Sequence, residues 1–101
     1  MIKCLGIEDI VGIIDRIRLK LRGLVKEAYV FGSIVDGCAI PYESDVDILI
    51  VPEKDVDYFE LLSDEISELL NIGLVVHLHI ASNDTYRHLL NEVRKNGIRI
   101  I

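Results

Sequence analysis

The fold of this chain is decided by residues 30–51, which read VFGSIVDGCAIPYESDVDILIV. An apolar strand ends at Gly32 and Ser33, a connection rich in turn residues follows, and Asp45 and Asp47 open a second apolar strand. Alternate side chains of a strand share a face, so the two carboxylates point the same way, about 7 Å apart along the backbone. We therefore predict two core strands with a pair of like charges at one end of the second.

The aspartate pair is costly in a sheet that is otherwise built from Ile, Leu and Val, because like charges repel and unpaired charges are poorly solvated there. A divalent cation removes that cost. Mg²⁺ binds one or two carboxylates and takes its remaining ligands from water and substrate phosphates. The pattern is therefore suited to a nucleoside triphosphate, with Asp45 and Asp47 as ligands of Mg²⁺.

The glycine at the end of the first strand favours a phosphate site. It lets the backbone turn sharply and approach a ligand closely, and the hydroxyl of Ser33 can then donate a hydrogen bond. If the residues after Ser33 begin a short helix, their backbone N–H groups add to an anion site. Eleven residues separate Ser33 from Asp45. We expect one helical turn and a loop at Pro41 there, with the two strand ends side by side.

The motif as a whole comprises Gly32, Ser33, Gly37, Ser44, Asp45, Asp47 and the apolar run that follows them. This combination resembles the signature of the DNA polymerase beta superfamily of nucleotidyltransferases, and the chain is similar in size to the minimal nucleotidyltransferases often encoded beside HEPN-domain proteins. The resemblance covers nearly the whole chain. It implies an α/β (α+β) fold, with a mixed sheet of about four strands and helices mainly on one face.

The alternative interpretation of the motif is a glycine turn followed by an exposed loop in which Asp45 forms an Asx-turn. Asp47 argues against it, because this residue lies inside the apolar run, where a turn residue has no structural purpose.

The implied chemistry is transfer of a nucleoside monophosphate from an NTP, which we expect to be ATP, to an acceptor hydroxyl on a protein or a small molecule. By the resemblance, Gly32, Ser33 and Ser44 bind the nucleotide. Asp45 and Asp47 are catalytic through Mg²⁺, and pyrophosphate leaves in line with the attacking hydroxyl.

The chain departs from the family pattern on a later strand, predicted at residues 74–81, where relatives generally carry a third carboxylate. His77 and His79 share one face of this strand, and His79 matches the carboxylate position better. A neutral imidazole can act as a general base or a metal ligand, so we assign His79 a catalytic role. The alternative is that catalysis has been lost. For His77, a structural role beside a neighbouring group is favoured.

A second departure concerns positive charge. Family members often carry an arginine shortly after Gly-Ser, but no Lys or Arg occurs here between Lys26 and Lys54. We expect the triphosphate to depend on metal, on backbone amides and on Arg87 or Arg94.

The remaining pattern predicts the scaffold. Apolar residues at helical spacing predict helices at residues 7–21, at 55–71 with Asp55 as the cap, and after Ser82. Short apolar runs predict strands at residues 28–31, 45–51, 74–81 and 98–101. The predicted buried stripes of the second and third helices consist of Val56, Phe59, Leu62, Ile66, Leu69 and Leu70, and of Tyr86, Leu89, Leu90 and Val93.

Length and composition predict one domain over residues 1–101. The net charge of −6 argues against polymeric nucleic acid as a partner. No apolar run is long enough to span a membrane, and we expect a cytoplasmic protein in which Cys4 and Cys38 are reduced thiols.

The chain has no predicted second domain to bind an acceptor, so we expect another chain to supply that surface, either a helical HEPN-type protein or a second copy. The candidate contacts are the strand at residues 98–101 and a basic helix end at Arg16, Arg18, Lys20 and Arg22, for which a solvated surface is the simpler interpretation. The rival function is a catalytically weak or inactive subunit that binds a HEPN-type partner as an antitoxin.

Overall fold

The computed structural model describes residues 4–81 and 87–101. Its centre is a four-stranded sheet in the order β3-β2-β1-β4, formed by β1 (Val25–Phe31), β2 (Asp45–Pro52), β3 (Val75–Ile80) and β4 (Ile98–Arg99). The strand β1 is antiparallel to β2 and to β4, whereas β2 and β3 are parallel. The predicted mixed sheet of four strands is confirmed.

Within the described residues, four α-helices flank this sheet, namely α1 (Val11–Leu21), α2 (Tyr58–Leu61), α3 (Ser63–Asn71) and α4 (Arg87–Asn96). Buried residues of α1, α2 and α3 join the main core on one face, while Val93 of α4 packs with Tyr29 and Leu49 on the other. The helices therefore lie mainly on one face, as expected.

The side-chain alternation of β2 places the aspartates. Val46, Ile48 and Ile50 are fully buried in the main core. Because successive side chains point to opposite faces, the odd-numbered residues Asp45 and Asp47 lie on the other face with Leu49. Leu49 is buried there against α4, whereas the two aspartates lie nearer the start of the strand and are partly exposed.

The helix predicted at residues 55–71 is wrong in its start and its continuity. Asp57, not Asp55, is the N-cap, and its side chain accepts a hydrogen bond from the Glu60 amide at 3.1 Å. An interruption at Leu62 divides the segment into α2 and α3. The break changes the buried face, so that Phe59 is 56% exposed.

Other element boundaries and one buried position also differ from the prediction. The segment 7–21 is a 3-10 turn at Ile7–Asp9 followed by α1, with Ile10 between them. The strand β1 begins at Val25 instead of residue 28. Leu70 is 55% exposed, and Glu65 occupies the buried face of α3 instead. The predicted cap at Ser82 and the burial of Tyr86 lie outside the described residues.

The prediction of reduced thiols is wrong in this structure, because Cys4 and Cys38 form a disulfide. The backbone explains the pairing. Leu5 and Ala39 exchange hydrogen bonds in an isolated bridge, with N···O distances of 2.7 and 2.8 Å, and this places the N-terminal segment beside the loop that follows β1. The two cysteines are 34 residues apart in the sequence, so this contact could not be predicted from local patterns.

No helix among the described residues is long and apolar enough to cross a membrane.

The basic end of α1 faces α3. Lys20 Nζ lies 2.8 Å from Oε1 of Glu65, and Arg16 Nη2 lies 2.5 Å from Oε2 of Glu68. Arg18 is bound to Asp15, and its Nε donates to the carbonyl of Ile100. These cations stabilise helix packing within the chain, so they present little unpaired charge to an acidic partner.

Among the ion pairs of the described residues, we expect the Lys20 pair to be the most sensitive to mutation, because the Glu65 side chain is only 2% exposed. We expect Lys20→Met to lower the free energy of unfolding by about 3 kcal/mol, since it leaves a buried carboxylate without its cation. The double variant Lys20→Met/Glu65→Met should recover most of that loss. Urea denaturation measures both.

The matched control is Arg16→Met, whose pair with Glu68 is about half exposed. It should cost less than about 1 kcal/mol. Equal costs for Lys20→Met and Arg16→Met would contradict the assignment of Glu65 as a buried, paired carboxylate.

Candidate active site

The two aspartates lie at the beginning of β2, on the face of the sheet that carries α4. The side chain of Asp45 is 48% exposed and that of Asp47 is 26% exposed. Asp47 is paired in register with Phe31, the last residue of β1. The end of β1 and the start of β2 therefore meet side by side, as the sequence predicted.

Gly32 is in close contact with Asp47. A Cβ atom at this position would lie 2.7 Å from Oδ2 of Asp47, and the φ angle of Gly32 is +95°. Both facts favour glycine, because a side chain would clash and the left-handed conformation is strained for other residues. The backbone after β1 is consequently held against the carboxylate.

Both histidines of β3 are directed at the aspartates. His79 Nε2 lies 3.1 Å from Oδ1 of Asp47, and His77 Nε2 lies 3.3 Å from Oδ2 of Asp45. In the parallel register His77 is paired with Asp47 and His79 with Leu49. Each imidazole therefore contacts the aspartate two residues before its backbone partner in β2. The like charges of the aspartate pair thus have histidine partners in the fold itself.

The contact with His79 bears on its chemical role. Mg²⁺ strongly prefers oxygen ligands, so an imidazole at this position is better suited to hydrogen bonding than to metal binding. With the proton on Nε2, His79 donates to Asp47 and orients its carboxylate. Phe31 lies beside the imidazole, with ring centroids 5.4 Å apart.

The segment after Gly32 does not form the expected short helix. Residues 33–37 form consecutive turns, with the Val35 amide donating to the Gly32 carbonyl at 3.1 Å and the Cys38 amide donating to the Ser33 carbonyl at 3.2 Å. Three glycine or turn residues in this stretch make a compact turn more stable than a helix. An anion site here depends on turn amides instead of a helix N-terminus.

The two predicted serine ligands are placed differently. Ser33 directly follows Gly32 and is partly exposed beside the aspartates' end of the sheet. Ser44 Oγ accepts a hydrogen bond from the Ile40 amide at 2.9 Å. Ser44 therefore has a structural contact in the turn before β2, and its hydroxyl proton can still be donated to a nucleotide.

The structure does not bring Arg94 to the aspartates. Its guanidinium forms two hydrogen bonds with Glu27, at 3.0 and 2.6 Å. The hydrogen bonds from Arg94 lower the pKa of Glu27, and Tyr29 also donates to Glu27 at 2.6 Å. Burial, followed by that hydrogen bond, raises the pKa of Tyr29. The expected contact of Arg94 with a triphosphate is thus unsupported, while Arg87 is exposed at the start of α4.

Sequence reasoning missed this network of Glu27, Tyr29 and Arg94, which attaches α4 to the sheet. A signal was available, because Glu27 and Tyr29 are two apart on one strand and share a face. A charged residue in an otherwise buried strand requires a partner. The identity of the partner could not be predicted, since Arg94 is 67 residues away in the chain.

A metal site is chemically reasonable at the aspartate pair. No group of three or more His, Cys, Asp or Glu side chains suited to a metal ion occurs within residues 4–81 and 87–101. Two partly exposed carboxylates on one strand face nevertheless fit Mg²⁺, which usually takes one or two carboxylates and completes its shell with water and substrate phosphates. The residues fit a metal that arrives with a nucleotide.

The sheet order, the glycine turn and the paired aspartates at a strand end define a nucleotidyltransferase. The family model described as nucleotidyltransferase domain matches residues 11–100. The chain belongs to this family and is a minimal nucleotidyltransferase.

A curated relative supports the same class. The chain is 33% identical over 78 residues to a protein of Methanocaldococcus jannaschii named "Putative protein adenylyltransferase MJ0604", and the match covers 77% of this chain and 75% of the relative.

Asp47→Asn tests the role of the aspartate in the site. Asparagine keeps the shape and can still hydrogen-bond with His79, so we expect the free energy of unfolding without ligand to change by less than about 1 kcal/mol. The gain in melting temperature from Mg²⁺ with ATP should vanish, because a metal ligand is lost.

Asp55→Asn is the control, since Asp55 is exposed in the segment after β2. It should keep the full response to Mg²⁺ with ATP. If Asp47→Asn instead destabilises the protein without ligand by about 2 kcal/mol or more, Asp47 is a structural hydrogen-bonding residue.

Proposed function

We propose that this chain transfers an adenylyl group from ATP to a hydroxyl of a protein, with Mg²⁺ as cofactor. The observation that carries the proposal is the contact between Gly32 and the Asp47 carboxylate. It brings the backbone that would seat the phosphates directly against the group that would hold the metal. The family match supports nucleotidyl transfer, and the relative's name supports ATP and a protein acceptor.

In this proposal Asp45 and Asp47 hold the metal, and Gly32 and Ser33 seat the phosphates. Mg²⁺ held by Asp45 and Asp47 would neutralise charge on the triphosphate, while the acceptor hydroxyl would displace pyrophosphate in line. His79 keeps the Asp47 carboxylate oriented through its 3.1 Å contact and can receive a proton at its other ring nitrogen.

A protein acceptor is supported by the surface on the outer side of Asp45. A hollow of about 190 Å³ there is lined by Tyr42, Leu70 and Val75 among others. These three side chains are 83%, 55% and 47% exposed. An exposed group of large apolar side chains beside reacting groups is typical of a protein contact. The partner in this proposal is a helical HEPN-type protein, with a second copy of the chain as the alternative.

The second candidate function is a catalytically weak or inactive subunit that binds a HEPN-type protein as an antitoxin. It is favoured by His79 at the third carboxylate position and by the binding of Arg94 to Glu27, which leaves a nucleotide with less positive charge. Both functions require a partner. They differ in whether ATP is consumed.

A cytoplasmic location is part of the proposal, because the donor is a nucleotide made there. The Cys4–Cys38 disulfide is uncommon in the cytosol of mesophiles but occurs in intracellular proteins of hyperthermophiles.

The test is incubation of the chain with ATP, Mg²⁺ and the proteins that co-purify with it from the native source. We expect intact-mass spectrometry to show one added adenylyl group on an acceptor, and pyrophosphate to appear in equal amount. Saturating ATP with Mg²⁺ should also stabilise the chain, by about 2.7 kcal/mol at 100 times the dissociation constant.

Asp45→Asn is the control for catalysis and should abolish the added mass. Stabilisation by ATP without any modified acceptor would favour the antitoxin function. Failure of calorimetry to detect ATP binding at millimolar concentration with Mg²⁺ present would rule out the enzyme.

A further inference from the structure

A cleft separates α4 from the end of β1 and the turns that follow it. Its volume is about 170 Å³. Apolar side chains of Phe31, Leu89 and Val93 line it, together with the polar side chains of Asp36, Glu92 and Asn96. This cleft is distinct from the hollow beside Asp45, because the described residues that line the one do not line the other.

The cleft adjoins Gly32, where the phosphates are proposed to bind. Gly32 forms part of its lining and is also the residue whose missing Cβ leaves room for Oδ2 of Asp47. A nucleotide whose phosphates lie at Gly32 and Asp47 can therefore extend its sugar and base into the cleft.

The chemistry of the cleft favours an aromatic, uncharged group. Its walls are the ring of Phe31 and two aliphatic side chains of α4. The carboxylates of Asp36 and Glu92, which also line the cleft, repel phosphate. The triphosphate therefore remains beside Asp45 and Asp47, where the metal is proposed to bind. Complete ligand pockets usually measure roughly 300–1,000 Å³. The smaller volume suits one part of a nucleotide, namely the planar base.

We propose that this cleft is the nucleobase subsite and that it takes a base with an exocyclic amino group. The inference rests on the proposed function. Carboxylates only accept hydrogen bonds, so Asp36 and Glu92 suit an amino group such as that of adenine and disfavour a carbonyl at the same position. Asn96 adds an amide that can both donate and accept.

The position of α4 determines the width of the cleft. Four of the six side chains named above, those of Leu89, Glu92, Val93 and Asn96, belong to this helix. Val93 anchors the helix in the small core with Tyr29 and Leu49, and the two hydrogen bonds between Arg94 and Glu27 fix the adjacent turn. The subsite is thus built on an attached helix and exists before a ligand binds.

The test compares two tryptophan substitutions by calorimetry, with Mg²⁺ present and with either ATP or inorganic tripolyphosphate as the probe. Asn96→Trp fills the cleft. Asn91→Trp is the matched control, because Asn91 is also exposed on α4 but does not line the cleft. Tripolyphosphate contains the phosphates without the sugar and base. Its affinity therefore measures binding at the proposed metal and phosphate site alone.

We expect Asn96→Trp to weaken ATP binding about tenfold or more and to leave tripolyphosphate binding unchanged, while Asn91→Trp changes neither. Inosine triphosphate, which has a carbonyl in place of the amino group of adenine, should bind to the unmodified chain about tenfold more weakly than ATP.

Several results would overturn the subsite. These are equal affinities of the unmodified chain for ATP and tripolyphosphate, unchanged ATP binding in Asn96→Trp, and an equal loss of both ligands in that variant. Equal binding of inosine triphosphate and ATP would overturn the assigned base class. If the unmodified chain binds neither ATP nor tripolyphosphate, the proposed function itself fails.

Discussion

The antiparallel pairing of β1 with β2 is the constraint on which the site depends. It places Phe31 opposite Asp47 and thereby sets Gly32 against the Asp47 carboxylate. A shift of one residue in this register would turn Asp45 and Asp47 into the main core and expose Val46 and Ile48. The same buried row of Val46, Ile48 and Ile50 that stabilises the sheet therefore also determines which way the aspartates face.

Several cations of the described residues are paired with acidic groups other than the two aspartates. The net charge is −6. Arg16 and Lys20 are paired with α3, and Arg94 is paired with Glu27. None of these three pairs includes Asp45 or Asp47, although Glu27 is paired in register with Val51 of β2. Among the described residues, the imidazoles of His77 and His79 lie against Asp45 and Asp47, and a bound metal would add the positive charge that a triphosphate needs.

The sequence predicted that the end of β1 meets the start of β2 because the relevant signals are local. Alternation in β2 fixed the shared face of Asp45 and Asp47, and the glycine at the end of β1 fixed the turn. The placement of His79 near the aspartates was implied by the family resemblance, and alternation in β3 gave only the face that His77 and His79 share. These predictions required no knowledge of contacts between distant residues.

The errors arose where tertiary contacts decide local structure. The disulfide depends on a backbone bridge between Leu5 and Ala39, and the attachment of α4 depends on Glu27 reaching Arg94. The break at Leu62 was hidden because apolar residues continue at helical spacing across it. The sequence indicated that Glu27 needed a partner, but it gave no signal of the disulfide or of the break at Leu62. These features follow only from the folded structure.

The most direct test of the account is the position of a metal bound with a nucleotide. Crystals grown with Mn²⁺ and a non-hydrolysable ATP analogue allow the metal to be located by anomalous scattering. The account predicts a peak between the carboxylates of Asp45 and Asp47, next to the backbone of Gly32. A nucleotide bound with its metal elsewhere, and no peak at these two carboxylates, would contradict it.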